Sequence, residues 1–392
     1  MRAREIKKGI YWVGAIDWNL RNFHGYLTQK GSTYNAYLII DEKITLVDTV
    51  KHYLFEEMLE RIKTVVDPAR IEYIISNHVE MDHSGSLPKI LKIAKNAKVV
   101  TSPNGEKGLK AHFKQDFNFQ IVNTLDKLNT GTREFEFVLT PMVHWPDSMV
   151  TYVRQDKLLF SNDAFGQHIA SSQRFDDEVG FDIARSEAAK YYANIVLPYA
   201  NQVKKALADL SGLDIDLIAP SHGIIWRSHL KEIVGLYKNW ADNQTDEKAM
   251  IVYDSMWHST EKISGVIGEA FDSLDLQVNF FNLQTNHISD IMAELLSAKY
   301  ICVGSPTLNN NMLPTVAAFL TYMKGLAPKK RIGLAFGSYG WGGQSIVQIE
   351  EVLKGCGFST LENIKVKYIP DKDTFSAIKD KIKAQLRSNP KA

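Results

Sequence analysis

The run Asn77-His78-Val79-Glu80-Met81-Asp82-His83-Ser84-Gly85 places four potential metal ligands, His78, Glu80, Asp82 and His83, within six residues. It follows the apolar, β-branched run Ile71-Glu72-Tyr73-Ile74-Ile75. A strand that ends in such a cluster presents its donors at the mouth of a sheet, and the rest of the fold has to bring further ligands to the same edge. The chain supplies them after other β runs: His144 in Leu139-Thr140-Pro141-Met142-Val143-His144, Asp163 in Phe160-Ser161-Asn162-Asp163, and His222 in Ala219-Pro220-Ser221-His222-Gly223. Any one of these has an ordinary reading as turn chemistry or a hydrogen-bonded structural residue. As a set of seven at strand ends they read as a site for two metals, with Asp163 the short carboxylate that bridges.

The spacing His-x-Glu-x-Asp-His is similar to the metallo-β-lactamase fold motif His-x-His-x-Asp-His, with Glu80 in the place of the second His. Carboxylate in place of imidazole makes the site harder and more anionic, which suits iron or manganese better than a zinc pair held mostly by nitrogen. The exchange argues for redox chemistry over hydrolysis.

With 392 residues, 45% hydrophobic and 23% charged, the chain can bury more than one core. A formal charge of +1 without a long basic run argues against nucleic acid as a partner. No segment approaches the ~20 apolar residues of a membrane span, and the N-terminus lacks a signal-peptide apolar stretch, so a cytoplasmic protein with no membrane partner is expected. Cys302 and Cys356 have no CxxC spacing and read as small buried hydrophobes, too few for an iron–sulfur cluster or rubredoxin module.

From Gly9 to about Gly223 the pattern is short strands with a few helices. Strands are expected at Ile10–Val13, Tyr34–Ile40, Ile44–Asp48, Tyr73–Ser76, Lys98–Thr101, Phe135–Thr140, Met149–Val153, Leu158–Ser161 and Ile215–Ala219, with helices at Tyr53–Val65, Leu87–Ala94 and Ile183–Leu210. This fits an αββα sandwich. The polar run 242–248 interrupts the pattern, and domains of 1–247 and 248–392 are expected. Beyond it, strands at Ala249–Tyr253, Gln277–Asn282, Tyr300–Gly304, Arg331–Gly337 and Lys365–Ile369 alternate with helices, the pattern of a flavodoxin-like, doubly wound parallel sheet.

In that second domain the first strand runs into Ser255-Met256-Trp257-His258-Ser259-Thr260, where hydroxyls and the N–H groups of a helix start form an anion site without Lys, Arg or a glycine run. FMN fits this loop better than FAD, NAD or ATP, because GxGxxG and GKS/GKT are absent. Two more loops follow strands: Ser305-Pro306-Thr307-Leu308-Asn309-Asn310 and Ser338-Tyr339-Gly340-Trp341-Gly342-Gly343. Their glycines let backbone approach a flavin ring, and Tyr339, Trp341 and Trp257 can stack on or flank it.

This set, in this order, resembles the flavodiiron proteins, which fuse a metallo-β-lactamase-like diiron domain to a flavodoxin-like FMN domain. The resemblance spans the whole chain and extends to Phe23-His24-Gly25-Tyr26, His144-Trp145-Pro146-Asp147-Ser148 and Ser161-Asn162-Asp163-Ala164-Phe165-Gly166. It implies that one iron takes His78, Glu80 and His144, the other Asp82, His83 and His222, with Asp163 between them. It also implies that His24 and Tyr191 or Tyr192 line the diiron pocket; for the tyrosines, simple aromatic packing is the competing reading. The implied reaction is reduction of O2 to water or of NO to N2O. Two ferrous ions and a two-electron-reduced flavin hold the four electrons that O2 requires. The resemblance further implies a head-to-tail homodimer or a dimer of dimers. Because no Cys-rich extension follows the flavodoxin-like part, an external donor is expected: a rubredoxin, with reduced deazaflavin or another flavoprotein as alternatives. The rival reading is a zinc hydrolase of the metallo-β-lactamase superfamily with a fused flavodoxin-like domain.

Overall fold

The computed structural model describes residues 1–388. Contacts divide it into two compact units, Met1–Tyr192 with Tyr199–Ala241, and Ala193–Pro198 with the chain from Asp242 onward.

The first unit is a sandwich of two sheets. One has seven strands in the order Arg4–Lys7, Ile10–Trp12, Tyr37–Ile39, Ile44–Val47, Ile71–Ile75, Lys98–Thr101, Phe119–Ile121; the other has five, Lys127–Asn129, Glu134–Leu139, Met149–Val153, Leu158–Asn162 and Leu217–Pro220. Alternation along each strand decides which side chains meet between the sheets. From the first sheet Ile39, Val47, Tyr73, Ile75 and Val100 point inward, and Phe135, Phe137, Met149, Val153 and Phe160 come from the second. The opposite residues of the first sheet, Leu38, Leu46, Ile74 and Val99, pack against Met58, Leu59, Ile62, Leu87, Ile90 and Leu109 of the helices Phe55–Lys63, Leu87–Ile93 and Pro103–Phe113. Each such fully buried aliphatic side chain contributes about 1.5–3 kcal/mol.

The structure departs from the sequence expectations in several places here. The strand expected over Tyr34–Ile40 is two pieces, Ser32–Tyr34 and Tyr37–Ile39. Between them Asn35 leaves the ladder: its N–H donates to Ser221 O at 2.8 Å. The helix expected over Ile183–Leu210 is broken into Phe181–Tyr191, a π-helical turn Tyr192–Val196, a 3-10 turn Leu197–Tyr199 and Ala200–Asp209, since Pro198 has no N–H to continue the ladder. Helices Pro103–Phe113, started by the Ser102 hydroxyl accepting from Gly105 N–H, and Leu230–Ala241 were not anticipated.

The second unit is a parallel sheet in the order Gln277–Asn282, Asp246–Tyr253, Ala298–Gly304, Ile332–Tyr339, with Ser359–Thr360 and Ile364–Lys367 both on the far side of the last strand. Its central strands read as continuous apolar runs because helices cover both faces; Ile251, Cys302, Leu334 and Phe336 are buried with Ile263, Ile267 and Phe271 of the helix Ser259–Asp272. The first strand begins at Asp246, inside the polar run read as a break: Lys248 is buried there and bonds Glu294 Oε2 at 2.5 Å. The fifth strand is split, and it stops at Lys367 because Tyr368 turns into the left-handed region (φ 57). No helix among the described residues is long and apolar enough to cross a membrane.

Candidate metal centre and flavin pocket

All seven sequence-predicted ligands converge in the first unit, in two groups whose donor atoms lie within 4.8 Å of one another: His78, Glu80, His144 and Asp163, and Asp82, His83 and His222. Asp163 faces both. Its Oδ2 lies 3.6 Å from His78 Nε2 and 3.2 Å from His144 Nε2, and its Oδ1 3.1 Å from His83 Nε2 and 3.3 Å from His222 Nε2. Glu80 Oε2 stands 3.4 Å from both His78 Nε2 and His144 Nε2. Asp82 completes the other side, 3.2–3.3 Å from His222 and His83.

Backbone geometry aims these groups. Asp48, at φ 55 after its strand, accepts from Asn77 N–H and Nδ2 at 2.8 and 3.0 Å and so fixes the start of the His78 loop. Burial raises the Asp48 carboxyl to about 6 despite His83 and Asn77. Asp147 Oδ2 accepts from Val79 N–H and meets His78 Nδ1, both at 2.8 Å, which leaves Nε2 pointing into the centre as a base. His222 Nδ1 meets Thr33 O at 2.8 Å with the same result. Gly223 then turns at φ +79, where a Cβ would meet Gln167 Oε1 at 2.2 Å, so only glycine fits behind His222.

Several of the convergent atoms are buried without a hydrogen-bond partner: His78 Nε2, both oxygens of Asp82 and of Asp163, and both nitrogens of His83. Native interiors rarely leave such groups orphaned. The electrostatics agree. Burial pushes His144 and His222 down, but the carboxylate of Asp163 beside them, with those of Glu80 and Asp82 respectively, outweighs it and holds them up at about 9 and about 10. Burial pushes the Asp163 carboxyl up, yet His83 and its other imidazole neighbours hold it well below the usual carboxylate range. A cluster that draws in protons this strongly is built for positive charge, and its oxygen- and nitrogen-rich donors fit a pair of hard-to-borderline divalent cations.

His24 lies at the solvent edge, its Nε2 3.2 Å from Glu80 Oε1. Tyr191 is buried with its ring 5.8 Å from that of His222, and burial followed by Asp163 raises its phenol. Tyr192 turns away, its ring against Tyr237 and Trp240. His168 was missed by sequence reasoning. It is buried among Phe23, Tyr26, Tyr191 and His222, with Nδ1 2.8 Å from Ser32 Oγ. It follows no β run directly, so strand-end reasoning passes over it.

In the second unit a cavity of ≈ 940 Å³ opens at the C-terminal strand ends, a size suited to a cofactor. Of the predicted residues, Met256, Trp257, Ser259, Pro306, Thr307, Asn309, Asn310, Ser338, Tyr339, Gly340, Trp341 and Gly342 line it. Ser255, His258, Thr260, Ser305, Leu308 and Gly343 do not. Thr260 and Ser305 brace the loops instead: Thr260 Oγ1 lies 3.0 Å from Ser338 Oγ, and Ser305 Oγ accepts from Leu313 N–H at 2.9 Å. His258 starts the helix at φ 61. Close approach of two strand ends needs Gly337, where a Cβ would meet Ser305 O at 2.0 Å. Tyr368 and Ile369, after the shortened fifth strand, also line the cavity and were not anticipated. Ser255 Oγ is buried without a partner beside the start of the helix, an orphan that a phosphate oxygen would satisfy.

Residues 33–223 match the ODP family β-lactamase model and residues 251–380 the flavodoxin model. The chain is 47% identical over 354 residues to the nitric oxide reductase of Moorella thermoacetica, covering 89% of each chain. It is 43% identical over 386 residues to the rubredoxin-oxygen oxidoreductase of Megalodesulfovibrio gigas, covering 97% of this chain and 96% of that one. Among solved structures, the rubredoxin oxygen:oxidoreductase of Desulfovibrio gigas superposes with a TM-score of 0.96 at 42% identity, covering 99% and 98%. The flavodiiron protein of Giardia intestinalis does so with 0.96 at 32%, covering 99% and 96%.

Proposed function

The chain belongs to the flavodiiron proteins, and from that premise we propose that it is an oxidoreductase that reduces O2 to water, NO to N2O, or both, at a non-haem diiron centre fed through FMN. The observation that carries this reading is the seven-residue cluster with Asp163 facing both halves, its oxygens 3.1–3.6 Å from four imidazoles. A zinc hydrolase is disfavoured by Glu80 among the donors and by the flavodoxin unit.

His78, Glu80 and His144 would hold one iron, Asp82, His83 and His222 the other, and Asp163 would bridge. When bound, the iron pair supplies the electrons and Lewis acidity for reducing the gas, and FMN relays electrons from the donor. The protein's own part is positional. Asp147 and the Thr33 carbonyl fix the tautomers of His78 and His222, so the donor nitrogens are basic before metal arrives. Glu80 is tied on its outer oxygen by His24, which holds its inner oxygen toward the centre. The buried Tyr191 phenol, kept protonated by burial, is a donor beside His222. In the second unit the loops at three strand ends, joined by Tyr368 and Ile369, would hold the flavin, its phosphate at the start of the helix Ser259–Asp272.

The names of the relatives support a rubredoxin-type donor. A cytoplasmic, head-to-tail homodimer, in which the flavin of one subunit serves the irons of the other, is our reading from the family resemblance; the exposed Trp257 and Trp341 at the flavin mouth are the surface such a partner would cover. Mixing His78→Ala with a Ser259→Ala/Thr260→Ala variant should restore activity in heterodimers although each parent is inactive; no recovery in verified heterodimers would place transfer within one chain. The function itself is tested by parallel steady-state rates with O2 and with NO, using a reduced rubredoxin. Turnover of at least one gas is expected, and turnover of neither by iron- and FMN-replete protein would refute it.

A further inference from the structure

We propose that an apolar passage beneath the helices Ala200–Asp209 and Leu230–Ala241 admits the diatomic substrate to the metal centre from the side. This rests on the functional reading above and adds a route, with its own binding cavities, for a small uncharged gas. An outer cavity of ≈ 270 Å³ lies between the two helices and the strands Leu158–Asn162 and Leu217–Pro220, lined by Leu213, Ile215, Ile218 and Val234, with the exposed Lys231 and Lys238 at its rim. An inner cavity of ≈ 20 Å³ is lined by Val143, Val150, Val203, Ala206 and Tyr237. The two share Leu159, Phe165, Leu207 and Leu210, so they adjoin across these four residues.

The inner chamber reaches the two loops that carry His144 and Asp163: its walls include Val143 and Ala164, their chain neighbours. The wall there is fixed. Phe165 sits at φ 66, and its N–H donates to Tyr237 Oη at 2.6 Å while the two rings pack at a tilt, their centroids 4.2 Å apart. An aromatic residue holds such a backbone only when its surroundings over-determine it. Protein interiors are otherwise close-packed, and a helix laid on a sheet normally closes such space. Dry apolar chambers exclude ions and favour small uncharged guests, xenon among them. O2 and NO are of that class. A lateral route also leaves the polar edge at His24 and Glu80 free for electron delivery.

Crystals of the iron- and FMN-loaded protein under xenon pressure should show xenon in the outer chamber and at the inner one. Ala206→Phe, which fills the inner chamber, should remove the inner xenon and lower kcat/KM for the gas by about tenfold or more, with kcat at saturating gas and the iron and FMN contents unchanged. Leu207→Trp, at the shared constriction, should do the same and serves if Ala206→Phe does not fold. Absence of xenon from wild-type crystals would overturn the passage. So would a blocked variant whose kcat/KM is unchanged, because gas would then arrive by the polar edge. Xenon in both chambers of a wild-type protein that consumes neither gas would overturn the functional reading, and with it the role of the chambers in delivering substrate.

Discussion

At the metal centre seven ionisable side chains from four separate segments come together in two groups with donor atoms within 4.8 Å. The flavin pocket, by contrast, is a cavity of ≈ 940 Å³ whose walls are loops of small, polar and aromatic residues. Ser338 and Ser259 are buried there, yet Trp257 and Trp341 are 87% and 91% exposed. The first site is specified by side-chain chemistry and held by buried hydrogen bonds such as Asp147 to His78. The second is specified by backbone shape and completed by what binds. Single substitutions should therefore be severe and metal-specific at the one, mild and graded at the other.

The largest expected effect is at Asp163. Asp163→Ala removes the carboxylate that faces both groups and leaves two cations to repel each other, so iron content and gas reduction should fall to background while FMN stays bound. Elemental analysis and flavin absorbance on the same sample check this, and two retained irons with normal turnover would break the contrast. Next is Asp147→Asn, which leaves His78 Nδ1 without a carboxylate. Iron affinity should drop about 10–100-fold, as for other partners of ligating imidazoles, with FMN affinity unchanged.

Metal-free protein should show the same charge logic through pH. His144 and His222 are raised to about 9 and about 10, above the ordinary value near 6.5. Groups raised on folding contribute stability that is complete below that ordinary value and is lost as pH rises through the folded one. The unfolding midpoint of apoprotein should therefore fall between pH 7 and 10 by several degrees, as followed by circular dichroism. A rise over that range would contradict the sign.

Smaller effects are expected in the second unit. Ser255→Ala removes an unpartnered hydroxyl beside the helix start, and FMN affinity should weaken by about tenfold, the scale of a hydrogen bond to a charged group, with iron content unchanged. Trp341→Ala should weaken FMN by only about 2–10-fold, the scale of one aromatic contact. Flavin fluorescence titration ranks the two, and a larger loss at Trp341 would mean that the exposed rim, not the buried loops, holds the cofactor.

The same contrast explains what could be read from the chain. The seven candidate ligands stood out because His, Asp and Glu directly after β-branched runs carry distinctive chemistry, so all seven could be named and are found together. The inner strands of both sheets and the parallel sheet of the second unit were legible from alternation and buried runs, but the edge strands Arg4–Lys7, Phe119–Ile121 and Lys127–Asn129 were not. Asp48 and His168 were not, because a buried polar residue that serves another residue has no pattern of its own in sequence. Tyr368 and Ile369 escaped because the fifth strand ends at Lys367, where a tyrosine in the left-handed region gives no sequence signal. The break inside Ile183–Leu210 was signalled by Pro198 and outweighed by the apolar spacing around it.

The paired iron and flavin sites can be counted on protein purified anaerobically after expression with iron supplied, by elemental analysis and flavin extraction on one sample. About two iron atoms and one FMN per chain are expected. Stoichiometric zinc without iron, or an absence of flavin from protein refolded with excess FMN, would contradict this.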